Sequence, residues 1–157
     1  MATTFKVKGG GKYRKRLEGI AREAGVVLKV GVLAGATDAQ GEPIAPRAYY
    51  NEFGTAHIPP RPAFRNTVDA KAANWAQGLT SLVRGRMAEA GVVKNAFQQL
   101  GEVMKEDIQD TIGSGVGPAL AESTVKAKTR KGLAAPALQL VEDADYQNSI
   151  KHEVKKK

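Results

Sequence analysis

Apolar positions recur along the chain with two periods, three to four and two, and the switches between them mark the elements. Tyr13, Leu17, Ile20, Ala21 and Ala24 form one stripe of an amphipathic helix closed by Gly25, with Lys12, Lys15, Arg16, Arg22 and Glu23 on the other face. Before it, Phe5 and Val7 alternate with lysines as in a short strand that Gly9, Gly10 and Gly11 break. Val26 to Leu33 reads as a core strand, with Leu28, Val30 and Val32 on one side and Val27, Lys29 and Gly31 on the other. Ala34 to Pro46 has the composition of a hairpin tip or an exposed, mobile loop. Arg47 to Phe53 predicts a short helix ending at Gly54, with Ala48 and Glu52 on one face and Tyr49 and Phe53 on another. Past the prolines 59, 60 and 62, a long helix carries Val68, Ala72, Trp75, Ala76, Leu79, Leu82, Val83 and Met87 as its stripe, and Gly91 interrupts it. A further helix runs from about Val93 through Phe97, Leu100, Val103, Met104, Ile108 and Ile112 to the glycines 113, 115 and 117.

The last third is less regular. A short basic helix is expected around Ser123 to Lys128, capped by Ser123 or Thr124, then a loop over Ala134 to Leu138. Ser149 to Val154 alternates, Ile150, His152 and Val154 against Lys151 and Glu153, as a strand at a sheet edge does. The order predicts an α+β fold with helices, one or two of them long and amphipathic, packed on one face of a small antiparallel sheet. Residues 1–157 are expected to form a single domain with a basic, flexible C-terminal end.

Composition narrows the function. No apolar run approaches the ~18 residues of a membrane span, and basic residues at the N-terminus have no apolar segment behind them, so a soluble, cytoplasmically folded chain is expected. The absence of cysteine excludes disulfides, thiolate metal sites and cysteine nucleophiles, and His57 and His152 are the only histidines, so neither a metal nor another cofactor is expected. The net charge of +8 favours an acidic partner, and basic residues gather at Lys6 to Arg16, Lys126 to Lys131 and Lys151 to Lys157. Such runs also suit a solvated face or a frayed tail.

Candidate chemistry is sparse. Gly9 to Tyr13, GGGKY, lacks the glycine spacing and the Ser or Thr of a phosphate-binding loop and reads as a joint before a helix. Glu52 and His57 form a conceivable base and orienter without a nucleophile. Glu102, Glu106, Asp107 and Asp110 are expected on the solvated side of their helix. The densest segment is NEFGTAHIPPRPAFR, Asn51 to Arg65. Its prolines hold an extended backbone, and Phe53, Ile58 and Phe64 alternate with Arg61 and Arg65, the residue types that anchor protein contacts, although a stiff connector into the next helix would also use prolines.

Tyr50 to Arg65, YNEFGTAHIPPRPAFR, resembles the Tyr-Asn-Glu-Phe-Gly-Thr, Ile-Pro-Pro-Arg-Pro-Phe signature of the tail-completion and neck proteins of tailed bacteriophages, also described as virion morphogenesis or head-to-tail joining proteins. Upstream VLKVGVL, and downstream LAESTVKAKTRKG and LVEDADYQNSI, are similar to segments that follow the same order in that family. Asp143 and Ala144 stand where the family has Thr-Gly, and Ala63 where Phe is common. The resemblance implies a non-enzymatic structural protein forming a homo-oligomeric ring, a hexamer or else a dodecamer, in the virion neck, assembled in the host cytoplasm and in contact with portal-side and tail-side proteins. Asn51, Glu52, Phe53, His57, Ile58, Pro59, Pro60, Arg61, Pro62, Phe64 and Arg65 are then the expected interface, with Glu52 and Arg61 as a pair. Lys12, Arg14, Lys15, Arg16, Lys126, Lys128 and Arg130 are candidates for a lumen that passes DNA without reading sequence. The competing classes are a stand-alone basic nucleic-acid-binding protein and a hydrolase using Glu52 and His57; at 6% aromatic residues with no stacking motif, the first lacks its usual signature.

Overall fold

A computed structural model describes residues 10–22, 25–86, 89–137, 139–140 and 145–156. In chain order these form α1 (Gly10–Arg22), β1 (Val26–Val32), α2 (Ile44–Phe53), α3 (Ala63–Val83), α4 (Val92–Ser114), α5 (Glu122–Arg130), α6 (Asp145–Asn148) and β2 (Ile150–Lys156). The strand expected at Phe5 and Val7 and the turn at Asp143 and Ala144 lie outside the described residues. The fold is α+β, as the order of periods predicts.

β1 and β2 pair antiparallel, with Val30 opposite His152 and Val26 opposite Lys156. Lys155 and Lys156, in the end expected to be flexible, extend the second strand: backbone pairing with the valine-rich β1 carries it two residues beyond Val154. Helix α4 crosses this sheet where it has no side chain. A Cβ at Gly101 would stand 2.5 Å from His152 Cδ2 and 2.9 Å from Leu28 Cδ1, so only glycine lets helix and sheet approach this closely. The core gathers where α2, α3, α4, α6 and β2 converge, around Ile44, Ala63, Ile108, Ile112, Tyr146 and Ile150. α6 is tied to α4 by a reciprocal pair, Gln109 Nε2 donating to the Gln147 carbonyl at 3.0 Å and Gln147 Nε2 to the Gln109 carbonyl at 2.9 Å.

Several boundaries differ from the sequence pattern. α1 begins at Gly10, so Gly10 and Gly11 belong to the helix rather than to a joint. α2 begins at Ile44 instead of Arg47, because Ile44 is a core residue at 2% exposure and its N–H is held by the Ala36 carbonyl. The loop before it is closed by Asp38, whose Oδ1 accepts the Gln40 and Glu42 N–H groups, and by a bridge between Thr37 and Pro43. In α5, Ser123 and Thr124 lie inside the helix and Ala121 occupies the cap position without a side-chain bond.

The face that α3 presents to α4 follows the predicted stripe only in part, through Trp75 with Leu79, Leu82 and Val83 half-buried. Val68, Ala72 and Ala76 are exposed, while Thr67 and Trp75 are buried. Thr67 Oγ1 lies 2.7 Å from the Ala63 carbonyl oxygen and 2.8 Å from Thr111 Oγ1. One turn along, Asp107 accepts from Trp75 Nε1 at 2.8 Å and pairs with Lys71 Nζ at 2.8 Å. Asp107 thus joins the two long helices, in contrast to Glu102, Glu106 and Asp110, which are exposed as expected. Burial pushes the Asp107 carboxyl up, but the bonds from Lys71 and Trp75 together outweigh it and leave its pKa below the ordinary value.

Candidate partner interface

The segment from Asn51 to Arg65 is a clasp between the end of α2 and the start of α3. Helix α2 stops at Gly54, whose N–H donates to the Tyr50 carbonyl at 2.8 Å and whose φ is 77°. A Cβ here would meet Ile58 O at 2.9 Å and Pro60 N at 3.0 Å, so the reversal needs glycine for both backbone angle and space. Thr55 then forms a tight turn: its Oγ1 accepts from the His57 and Ile58 N–H groups, and its N–H donates to Ile58 O. After the turn the prolines run back along α2, and the Arg61 N–H donates to the Asn51 carbonyl at 2.6 Å.

Glu52 secures the other end of the clasp. Only 6% exposed, it accepts from the Phe64 N–H through Oε2 and from the Arg65 N–H through Oε1, each at 3.1 Å. These are orphan donors of the first turn of α3, which Pro62 at the cap position leaves unsatisfied. The Arg65 guanidinium completes the contact, with Nε on Glu52 Oε1 at 3.1 Å and an amino group on the Glu52 carbonyl at 2.6 Å. Glu52 therefore pairs with Arg65, not with Arg61. The reason is helical geometry: the carboxylate caps α3 from outside, and Arg65, in its first turn, is within reach. Arg61 turns inward at 8% exposure, where its Nε donates to the Pro118 carbonyl at 3.3 Å. Ala63, where the resembled signature has a bulky ring, is fully buried in the core.

The outer side of the clasp is aromatic. Tyr49, Tyr50 and Phe53 are 60%, 49% and 55% exposed, and Ile58 stands beside the turn at 38%. Tyr49 packs on Phe53 with ring centroids 4.7 Å apart and meets Tyr50 edge-on at 6.1 Å, while Arg65 lies over the Phe53 ring at 5.1 Å. Between this cluster and β1 is an open groove of about 400 Å³, bordered by Val30, Val32, Ala45, Tyr49 and Phe53. Phe64 is half-buried and packs against the core, and His57, Pro59 and Pro60 are exposed with Asn51 and Pro62 half-buried.

A second, polar cleft of about 220 Å³ opens on the opposite side of α2, where Arg61, Lys128, Arg47, Asp38, Asp145 and Tyr146 meet. Burial, and then the nearby Glu52 charge, push the Tyr146 phenol up to about 12. Lys128 is 9% exposed and belongs to this cleft, whereas Lys126 and Arg130 are exposed on α5, Lys126 pairing with Glu122 at 2.8 Å. On α1, Lys12, Arg14 and Lys15 are exposed, Arg14 bonded to Glu18 at 2.9 Å; Arg16 lies in the same helix. The expected sites are thus separate: one clasp with an aromatic outer face, and basic groups on α1 and α5.

No hydrogen bond or ion pair joins Glu52 to His57 among the described residues, and the Glu52 carboxylate is already bound by the α3 backbone. Among them, too, no group of three potential metal-binding side chains occurs, and no helix is long and apolar enough to cross a membrane. The exposed aromatic cluster was legible in part: Tyr49 and Phe53 share a face of α2 at a spacing of four, as the sequence predicts, whereas Ile58 and Arg65 come beside them only through the Gly54 reversal. No family model matches the chain, and neither the curated proteins nor the solved structures include a match.

Proposed function

We propose that the chain is a structural protein of the virion neck of tailed phages, assembling as a homo-oligomeric ring, a hexamer in the first instance, that joins the capsid portal to the tail and passes DNA through its lumen. The observation that carries this reading is the exposed cluster of Tyr49, Tyr50, Phe53 and Ile58 beside Arg65 on a backbone stiffened by three prolines. Tyrosine and arginine are among the residues that dominate binding energy at protein interfaces, phenylalanine is enriched there, and a preorganised backbone loses little entropy when it docks. The adjoining groove beside β1 offers a concave counterpart for a side chain of a neighbouring subunit or ring. Glu52 supports a structural role because its carboxylate holds α3 in place. The resemblance of Tyr50 to Arg65 to the neck signature supplies the location, and the positive charge suits a lumen that contacts phosphates without sequence readout.

Native mass spectrometry of the purified protein and of mildly dissociated virion necks tests the proposal. A ring mass, or a fixed six or twelve copies per neck, is the expected result; a monomer absent from virions overturns it and favours the nucleic-acid-binding or hydrolase class. A Tyr49→Asp, Phe53→Asp double variant should remain folded by circular dichroism yet lose the ring, since both side chains are more than half exposed in the monomer.

A further inference from the structure

Two surfaces outside the clasp present exposed apolar side chains among the described residues. Among the described residues no other element packs extensively on α1, and Leu17, on the apolar stripe read from its sequence, is 49% exposed with Ala21 exposed four residues on. A groove of about 620 Å³ runs between α3 and α4, floored by Trp75 and Leu100 and bordered by Leu82 and a 49% exposed Val103. Gly78 and Ser81 keep the α3 wall low, so that a helix backbone can come close.

We infer that α1 of one copy docks into the α3–α4 groove of the next copy. The sizes agree: 13 residues of α1 extend ~20 Å, and the stretch of α3 from Lys71 to Leu82 that borders the groove spans ~17 Å. The charges agree as well. α1 carries Lys12, Arg14, Lys15, Arg16 and Arg22 against Glu18 alone. The rim of α4 beside Val103 carries Glu106 and Asp110, both exposed and neither in a salt bridge among the described residues. Laid with its Leu17 stripe on Trp75, Leu100 and Val103, the net-basic helix brings positions 14 and 16, which flank that stripe by helical spacing, towards an acidic margin, the usual form of helix-in-groove recognition. Groove and helix are different patches, so the contact is head-to-tail and can propagate into a closed ring. By helical spacing Lys12 and Lys15 lie roughly opposite Leu17, and docking leaves them facing outward. The inference rests on the ring reading only for closure; the docking itself stands apart from it.

The chain has no cysteine, which permits a clean test. Leu17→Cys and Val103→Cys, both at exposed positions, are made as separate single variants, mixed in equal amounts and mildly oxidised. A disulfide between the two different chains is expected, and its yield should fall several-fold in high salt or when Glu106→Lys and Asp110→Lys are added to the Val103→Cys chain. Absence of the mixed bond overturns the inference, including the case where a chain carrying both cysteines closes on itself, because α1 then packs within its own subunit. A mixed bond in a protein that never enters virions would sustain the docking and remove the neck reading; a ring by mass without the mixed bond would do the reverse.

Discussion

Glu52 concentrates the residue-scale physics of this protein, since one buried carboxylate satisfies two backbone N–H groups and one guanidinium across the α2–α3 junction. Removing it with Glu52→Ala should cost about 2–3 kcal/mol, the sum of a lost helix cap and a lost charge-assisted bond. Glu52→Gln is not neutral, because its NH₂ group must face a backbone donor. Urea denaturation measures both, and an unchanged midpoint in Glu52→Ala would refute the capping role. Asp107 makes the matching prediction in pH. Its folded pKa lies below the unfolded value, so its contribution to stability is present above that value and disappears as pH falls through the folded pKa. Asp107→Asn should therefore lower the melting temperature at neutral pH and reduce its dependence on pH below about 4. Sequence reasoning placed Asp107 with its solvated neighbours because helical spacing alone does not reveal that Trp75 and Lys71 face it from another helix.

Among the elements, the closest approach is that of α4 to the sheet at Gly101. Its added methyl would collide with the His152 ring and Leu28, so Gly101→Ala should destabilise by about 1–3 kcal/mol through overpacking, offset in part by the better helix propensity of alanine. A stabilised variant in thermal melts would show that the sheet can move away at little cost. The existence of α3, α4, β1 and β2 was legible in the period of the apolar residues, because each buries one face. The end of α2 at Gly54 was legible too, but its start and the reason α3 starts where it does were not. α2 gains three residues before Arg47 because Ile44 enters the core, and α3 starts directly after Pro62 because Glu52 caps it from outside its own sequence. The buried side of α3 was legible only from Trp75 onward for a related reason: Thr67 and Lys71 meet polar partners on α4, and a pattern built on apolar residues does not see such pairs.

For the whole molecule, the basic residues of α5 divide between an exposed helical surface and the polar cleft. Lys126 and Arg130 belong to the first group and Lys128 to the second. Under the proposed function, Lys126→Glu with Arg130→Glu should leave folding and ring mass unchanged and reduce DNA retention in assembled particles, an effect that raised salt should mimic. Equal DNA retention in variant and parent particles would remove α5 from the lumen. Lys128→Glu is a different experiment, since a charge reversal at 9% exposure perturbs the cleft and should register in stability first.

By itself the sequence determined the α+β class, the long amphipathic helices, the valine-rich strand and the presence of a rigid segment between Asn51 and Arg65, because periodicity, glycine and proline act locally and need no partner to be read. Tertiary structure decided which groups meet: Arg65 rather than Arg61 with Glu52, Asp107 with Trp75 and Lys71, Arg65 with the Phe53 ring, and Lys155 and Lys156 with β1. Those pairings depend on how helices cross and where a strand finds its edge, and the distances involved are set by packing between elements far apart in the chain.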